Sequence, residues 1–349
     1  MGTLALLLLS AVPVLTSQWS AVGTPLFPAV TWIATSSSEP GLVYAAASDS
    51  PHGRSGAFRS GDGGLTWTLM AEALPGDTVT AVQPDPETDS RLFATTLRFE
   101  NDLGAGRLYV SDDSGTTWAL RADLPGACGG SFAFGSANPE WIYLTVFCSN
   151  AIYASFDHGA TWIEKSSPAP SVLRLQTTID GTLYATALDG IYRSRDAAGT
   201  WEFVTGVPPD CGDATLRAFV PDEDERVLVV GAVNEGYNYF QCGGIFRSED
   251  SGSTWSFTLD QRRITDLIRH PNVSTRLFAS ASRSAGFFGH VDGDVFQSDD
   301  GGRTWRSLGL PTADAGQVVI SSDGRRLYAL TPNGVYLLPI RQPLTLSPR

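Results

Sequence analysis

Ser298-Asp299-Asp300-Gly301-Gly302-Arg303-Thr304-Trp305, preceded by Val295-Phe296-Gln297, decides the fold. It reads as a strand, a tight polar turn and a tryptophan that begins the next strand. Ser and Asp side chains hydrogen-bond to nearby backbone N–H groups, which offers the chain a turn in place of a sheet ladder. The glycine takes a backbone conformation that a Cβ would penalise. Thr and Trp restart a strand, and the indole supplies a large apolar surface. The same pattern, S-x-D-x-G-x-T-W, runs from Ser60 to Trp67, Ser111 to Trp118, Ser155 to Trp162 and Ser248 to Trp255. A degenerate copy, Ser194 to Trp201, has Ala198 where glycine is expected. Copies recur at intervals of roughly 40 to 55 residues, the period of one blade of a β-propeller.

These octets resemble the Asp-box, or BNR, repeat of sialidases, sortilin-type receptors, xyloglucanases and photosystem II assembly factors. The resemblance extends over nearly the whole chain after the N-terminal segment. It implies boxes on the hairpin between the third and fourth strands of each blade, away from the active face. On that footing Asp62, Asp113, Asp157, Asp196, Asp250 and Asp300 are structural. Enzymes and non-enzymes share the box, so it speaks for fold and not for activity. A calcium loop would need a ligand ladder ending in Glu, which these turns lack.

Composition agrees with a turn-rich all-β chain: 36 Gly, 21 Pro and 9 Trp, with 17% charged residues in 349. The 24 Lys and Arg stand against 37 Asp and Glu, a formal charge of −13. An acidic surface repels phosphate backbones, which argues against a nucleic-acid partner.

In chain order, Met1 to Ser17 contains the apolar run Leu4-Ala5-Leu6-Leu7-Leu8-Leu9 followed by small residues. It is too short for a stable membrane span and reads as a secretory signal, giving an extracytoplasmic protein, secreted or periplasmic, with no membrane span. Residues 18–340 divide into seven blades, of about 27 to 75, 77 to 125, 127 to 169, 171 to 209, 212 to 260, 262 to 311 and 314 to 340, before a tail of 341–349. The last has no octet and no fourth strand of its own. Trp19-Ser20-Ala21-Val22-Gly23-Thr24-Pro25 matches Trp305-Arg306-Ser307-Leu308-Gly309-Leu310-Pro311 at Trp, Gly and Pro. The N-terminal strand is therefore expected to complete blade seven and close the ring, leaving no unpaired edge.

Cys128 and Cys211 each precede the first strand of a blade, and Cys148 and Cys242 each follow its second strand. Adjacent antiparallel strands bring those ends together, so Cys128–Cys148 and Cys211–Cys242 are the expected disulfides of an exported chain. No CxxC spacing exists and the four His are scattered, so no metal is expected.

Loops between second and third strands share a face with the blade-to-blade connections, opposite the octets. They are long in blades one (48 to 56), two (98 to 106), five (233 to 243) and six (282 to 293). Variable loops on a rigid scaffold are where binding usually resides. Their aromatics, amides and charges suit sugar stacking or a peptide interface: Arg54, Arg98, Glu100, Asp102, Glu235, Tyr237, Tyr239, Phe240, Phe287, Phe288 and His290. A glycoside hydrolase would need two carboxylates roughly 5 to 10 Å apart, and Glu100, Asp102, Glu235, Asp292 and Asp294 are available. The Arg-Ile-Pro signature of sialidases is absent, as are G-x-S-x-G, H-E-x-x-H and the P-loop, so no cofactor is expected. The expectation is an all-β, seven-bladed, monomeric propeller that binds a protein or glycan opposite the octets, with glycoside hydrolysis as the alternative.

Overall fold

Seven four-stranded antiparallel sheets form in the computed structural model, each built from strands consecutive in the chain except the sixth, interrupted by a separate hairpin, and the last. The structure describes residues 18–341 apart from 24–28, 50–53, 73, 75–76, 101–102, 126–129, 147–150, 207–213, 223–225, 235–242, 261–262 and 287–288. Blade one comprises Ala29–Thr35, Val43–Asp49, Arg54–Ser60 and Thr68–Glu72; blade two Thr78–Pro84, Leu92–Glu100, Leu103–Ser111 and Ala119–Pro125. Blade three is Gly130–Phe134, Ile142–Val146, Ala151–Ser155 and Ile163–Lys165; blade four Val172–Thr177, Leu183–Ala187, Gly190–Ser194 and Glu202–Gly206. Blade five is Ala214–Pro221, Leu228–Asn234, Gly244–Ser248 and Ser256–Asp260; blade six Arg263–His270, Val273–Ser282, Val295–Ser298 and Arg306–Ser307. Val318–Ile320, Arg326–Thr331 and Gly334–Pro339 make blade seven, and the N-terminal strand Ser20–Ala21 supplies its fourth position.

The closure expected from the Trp19 match is present. Ser20 pairs with Leu337 and Ala21 with Tyr336, and Val22 N–H donates to Val335 O at 3.0 Å. Trp19 is buried with Phe278, Val318 and Leu338, and its Nε1 donates to Leu308 O at 3.0 Å. One short strand thus joins the two ends of the chain and seals blade seven against blade six.

There is no single core. Apolar clusters lie between successive blades, for example Tyr44, Ala46, Val82 and Leu92 between blades one and two. Another is Tyr184, Ile191, Phe219 and Val230 between blades four and five. The second strands are covered on both faces, so Ile142–Val146 and Leu183–Ala187 are buried along their whole length.

Each octet folds through four short-range hydrogen bonds. Ser60 Oγ donates to Asp62 Oδ1 (2.7 Å) and accepts from Gly64 N (2.8 Å); Asp62 Oδ1 accepts from Thr66 N (2.9 Å) and Oδ2 from Thr66 Oγ1 (2.6 Å). The same four bonds recur around Asp113, Asp157, Asp196, Asp250 and Asp300. Two successive residues take positive φ in every copy, from Gly63 (78°) and Gly64 (93°) to Ala197 (57°) and Ala198 (60°). The degenerate copy therefore keeps the turn, with an alanine in the left-handed region.

Three of the expected loops prove to be β-structure. Residues 98 to 106 of blade two are mostly strand: Leu92–Glu100 pairs with Leu103–Ser111 as far as Glu100 opposite Leu103. Blade one likewise continues to Asp49 opposite Arg54. In blade six, Ser284–Gly286 and Gly289–Val291 form a separate two-stranded hairpin. The long connections of blades one, two and six are thus hairpins that extend the β-structure beyond the ring, not irregular loops.

Candidate functional site: the hairpin face and the axial channel

First strands of the blades line the channel down the propeller axis, and five of them carry a break in register. The break falls at Thr31, Thr80, Leu173, Arg217 and Thr265, each an extra residue against its partner strand. A bulge re-aims the side chain it carries. Thr31, Leu173, Arg217 and Thr265 accordingly line a cavity of about 480 Å³ at the hairpin-face end of the channel.

Arg174 and Asp266 meet in this cavity. Arg174 stands on blade four and Asp266 on blade six, so the ion pair crosses the channel past blade five. Asp266 is 3% exposed. Its Oδ1 also accepts from Leu267 N at 2.8 Å and its Oδ2 from Val318 N of blade seven at 3.1 Å. A buried carboxylate left without such partners would be costly, so the pair ties three blades together. Neighbouring blades are stitched at the same level, Thr265 Oγ1 donating to Ala315 O at 2.8 Å and Ile33 N to Gln317 Oε1 at 3.1 Å.

A second polar node sits under the blade-two hairpin. The Asp77 side chain is fully buried, and its Oδ2 accepts from Thr96 Oγ1 and from Arg107 Nη1, both at 3.2 Å. Arg107 Nε reaches Asp123 Oδ1 at 3.3 Å, and Arg98 Nε lies 4.0 Å from Asp77 Oδ1. Contact with Tyr109 first, and then the charge of Asp77, raises the Arg107 guanidinium above its ordinary value. A small cavity of about 270 Å³ opens beside these four residues.

Of the residues singled out in the sequence, Arg54 is exposed at the start of its strand and Arg98 has a half-exposed side chain over Asp77. Both are on the hairpin face. Glu100 closes its strand opposite Leu103, and His290 pairs with Ala285 in the blade-six hairpin, but their side chains lie outside the described residues. Asp102, Glu235, Tyr237, Tyr239, Phe240, Phe287 and Phe288 also lie outside them, as do Cys128, Cys148, Cys211 and Cys242. Asp292 is 3.7 Å from Arg283, and Asp294 is consumed internally, accepting from Val295 N and Leu310 N at 2.7 Å. Sequence reading missed Asp77, Arg107, Arg174 and Asp266. The one local trace was a carboxylate interrupting the apolar run Ile264-Thr265-Asp266-Leu267-Ile268.

No protein-family model matches the chain. A xyloglucanase of Acetivibrio thermocellus is 23% identical over 332 residues, which is 77% of this chain and 37% of that protein. One from Hypocrea jecorina is 26% identical over 177 residues, 46% of this chain and 20% of that protein. The chain thus spans well under half the length of the curated relatives it matches. Among solved structures, the GH74 xyloglucanase from Xanthomonas campestris aligns with a TM-score of 0.66 at 17% identity, over 92% of this chain and 53% of that one. A structure of YCF48 bound to D1 peptide aligns with a TM-score of 0.63 at 15% identity, over 94% of this chain and 98% of that one. At these identities the likeness is one of fold, and the class it defines is the seven-bladed β-propeller. Among the described residues no helix is long and apolar enough to cross a membrane.

Proposed function

We propose that this is an exported propeller whose hairpin face binds a protein or glycan ligand without cleaving it. The observation that carries this reading is the state of four carboxylates on that face, Asp77, Asp123, Asp266 and Asp294. Glycoside hydrolysis needs two carboxylates facing each other across a gap that holds the sugar and, in inverting enzymes, a water. Here the Arg107 guanidinium contacts both Asp77 and Asp123 and fills the gap between them. Both oxygens of Asp266 and of Asp294 are taken by donors of the propeller itself. Such carboxylates hold a surface in shape.

The ligand-contacting residues of this reading are Arg54 and Arg98 together with Glu100, Asp102, Glu235, Tyr237, Tyr239, Phe240, Phe287, Phe288 and His290. Aromatic faces flanked by amides and arginines suit a sugar ring or a peptide equally. The octets act as Asp boxes, residues 1–17 as a cleaved signal, and the four cysteines as two disulfides, Cys128–Cys148 and Cys211–Cys242. Full-length similarity to YCF48, solved with a peptide bound, supports the binding role.

The xyloglucanase similarity over 77% of the chain favours a second reading, glycan cleavage by Glu100, Asp102 or Glu235. Incubation with xyloglucan and chromogenic glycosides separates the two. The binding reading expects no new reducing ends. Turnover that disappears in Glu100→Gln, Asp102→Asn or Glu235→Gln would replace it with the hydrolase.

A further inference from the structure

Octets do more than turn the chain, because each is a lid on the blade before it. A Cβ added at Gly115 would lie 2.6 Å from Met70 of blade one, at Gly159 2.4 Å from Phe93 of blade two, and at Gly252 2.7 Å from Thr205 of blade four. Octet carbonyls also serve as acceptors for the preceding blade. Arg91 Nη1 of blade two donates to His158 O at 3.2 Å, and Arg247 Nε of blade five to Gly301 O at 2.9 Å.

Blade seven has no octet, so among the described residues no octet covers blade six. The residue affected is Arg276, which stands where Arg91 stands in blade two. The residue before each accepts from the octet of its own blade, Ser90 O from Ser114 N and Thr275 O from Gly301 N, both at 2.8 Å. Each guanidinium Nε then donates to the second octet residue, Arg91 to Asp112 at 2.6 Å and Arg276 to Asp299 at 2.5 Å. There the likeness ends. Arg91 Nη1 goes on to the next octet, whereas Arg276, only 8% exposed, has a buried Nη1 with no hydrogen-bond partner among the described residues.

In place of the missing octet there is a cavity of about 530 Å³ lined by Arg276, Arg306 and Arg341, with Asp299 as its one carboxylate. Gln297, 4% exposed, donates to both oxygens of Asp299, at 2.9 and 2.8 Å, so that charge is already engaged. Three cations against one anion leave an excess of positive charge on a chain of −13. Leu308, Leu338 and Ile340 give the same cavity an apolar wall.

We propose that this cavity binds a small carboxylate bearing a short aliphatic group. The carboxylate supplies the acceptor that an octet carbonyl supplies in blade three, and its planar pair of oxygens matches the fork of a guanidinium. The aliphatic part packs on the leucine and isoleucine wall. The volume is in the range of small-molecule sites. The site lies on the octet face, opposite the hairpins, and stands whether or not the hairpin face binds anything.

The probe is 4-methylpentanoate, titrated by calorimetry into the full chain beside 4-methylpentanamide and inorganic phosphate. Saturable one-to-one binding of the carboxylate is expected, with the amide at least about tenfold weaker for the loss of a charge-assisted hydrogen bond, and phosphate at least about tenfold weaker because it has no aliphatic group to pack on Leu308, Leu338 and Ile340. Arg276→Met and Arg341→Ala should each weaken the carboxylate by a similar factor. Arg276→Met also gives up the Nε bond to Asp299, so its Tm is measured beside its affinity and a lowered Tm is expected. Should that variant fail to fold, the exposed Arg341→Ala alone decides. Absence of saturable binding, equal affinity for the amide or phosphate, or indifference to Arg341→Ala would overturn the proposal.

Discussion

At the scale of the residue, the octet aspartates are all tuned in one direction. Asp62, Asp196, Asp250 and Asp300 are lowered from 3.8 to about 2. For Asp62 the Thr66 hydroxyl contributes most, followed by the Thr66 N–H; for Asp300 desolvation pushes upward and the Thr304 hydroxyl and N–H outweigh it. Asp113 and Asp157 are lowered by the same kinds of donor. A folded value below the unfolded one means that the folded state prefers the ionised form. The resulting stability is fully present above about pH 4 and is lost as pH falls from there through about 2. A series of thermal melts should therefore show a steep acid limb between those values, and Asp62→Asn should lower Tm at neutral pH and flatten the limb. An unchanged limb would mean that the turns do not depend on the carboxylate. Two neighbouring positions test the backbone in the same way. Gly159→Ala places a Cβ 2.4 Å from the Phe93 ring at φ 81° and should cost more than about 2 kcal/mol. Ala198→Gly trades a buried methyl for relief of a left-handed alanine and should stay within about 1 kcal/mol of the parent.

At the scale of the element, the N-terminal strand matters most for its length. Trp19 brings most of its apolar surface and reaches back to Leu308 O. Trp19→Ala should destabilise by about 3–5 kcal/mol in denaturant melts, as for a large aromatic removed from a core. Removal of residues 18–26 should lower the midpoint further, and a midpoint unchanged by that removal would contradict closure. Elements also show what the sequence can express. Octets were legible because all their bonds span at most four residues, so Ser, Asp, Gly and Thr appear together in the string. Closure was legible because Trp19 to Pro25 repeats the pattern of a strand elsewhere in the chain. The Arg174–Asp266 pair was not, since its partners are 92 residues apart and on non-adjacent blades. The blade-two hairpin was read as a loop because Arg98, Glu100 and the glycines at 104 and 106 break the apolar alternation. The two strands stay paired in register to Glu100 opposite Leu103 all the same.

At the scale of the whole molecule, one face is built of octets and the other of hairpins, and the chain meets its own beginning in blade seven. The described strands of blade three end with Gly130 opposite Val146, two residues inside Cys128 and Cys148 on either side. This spacing supports the proposed Cys128–Cys148 bond. If both disulfides are present, reduction should lower Tm by an amount equivalent to about 2–4 kcal/mol per bond. Indifference to reductant would remove them.

The octets are the most conspicuous feature of the sequence, yet the Ser, Asp and Thr side chains that define them are consumed by their own turns. The proposed protein or glycan binding therefore falls to the opposite face. The most direct measurement is a glycan and peptide array probed with the parent chain, with Asp62→Asn, and with a variant lacking residues 236–240, followed by a reducing-end assay on any glycan bound. The prediction is a discrete signal retained by Asp62→Asn, lost with residues 236–240, and free of cleavage. A signal that survives that deletion, or a bound glycan that is cleaved, would contradict it.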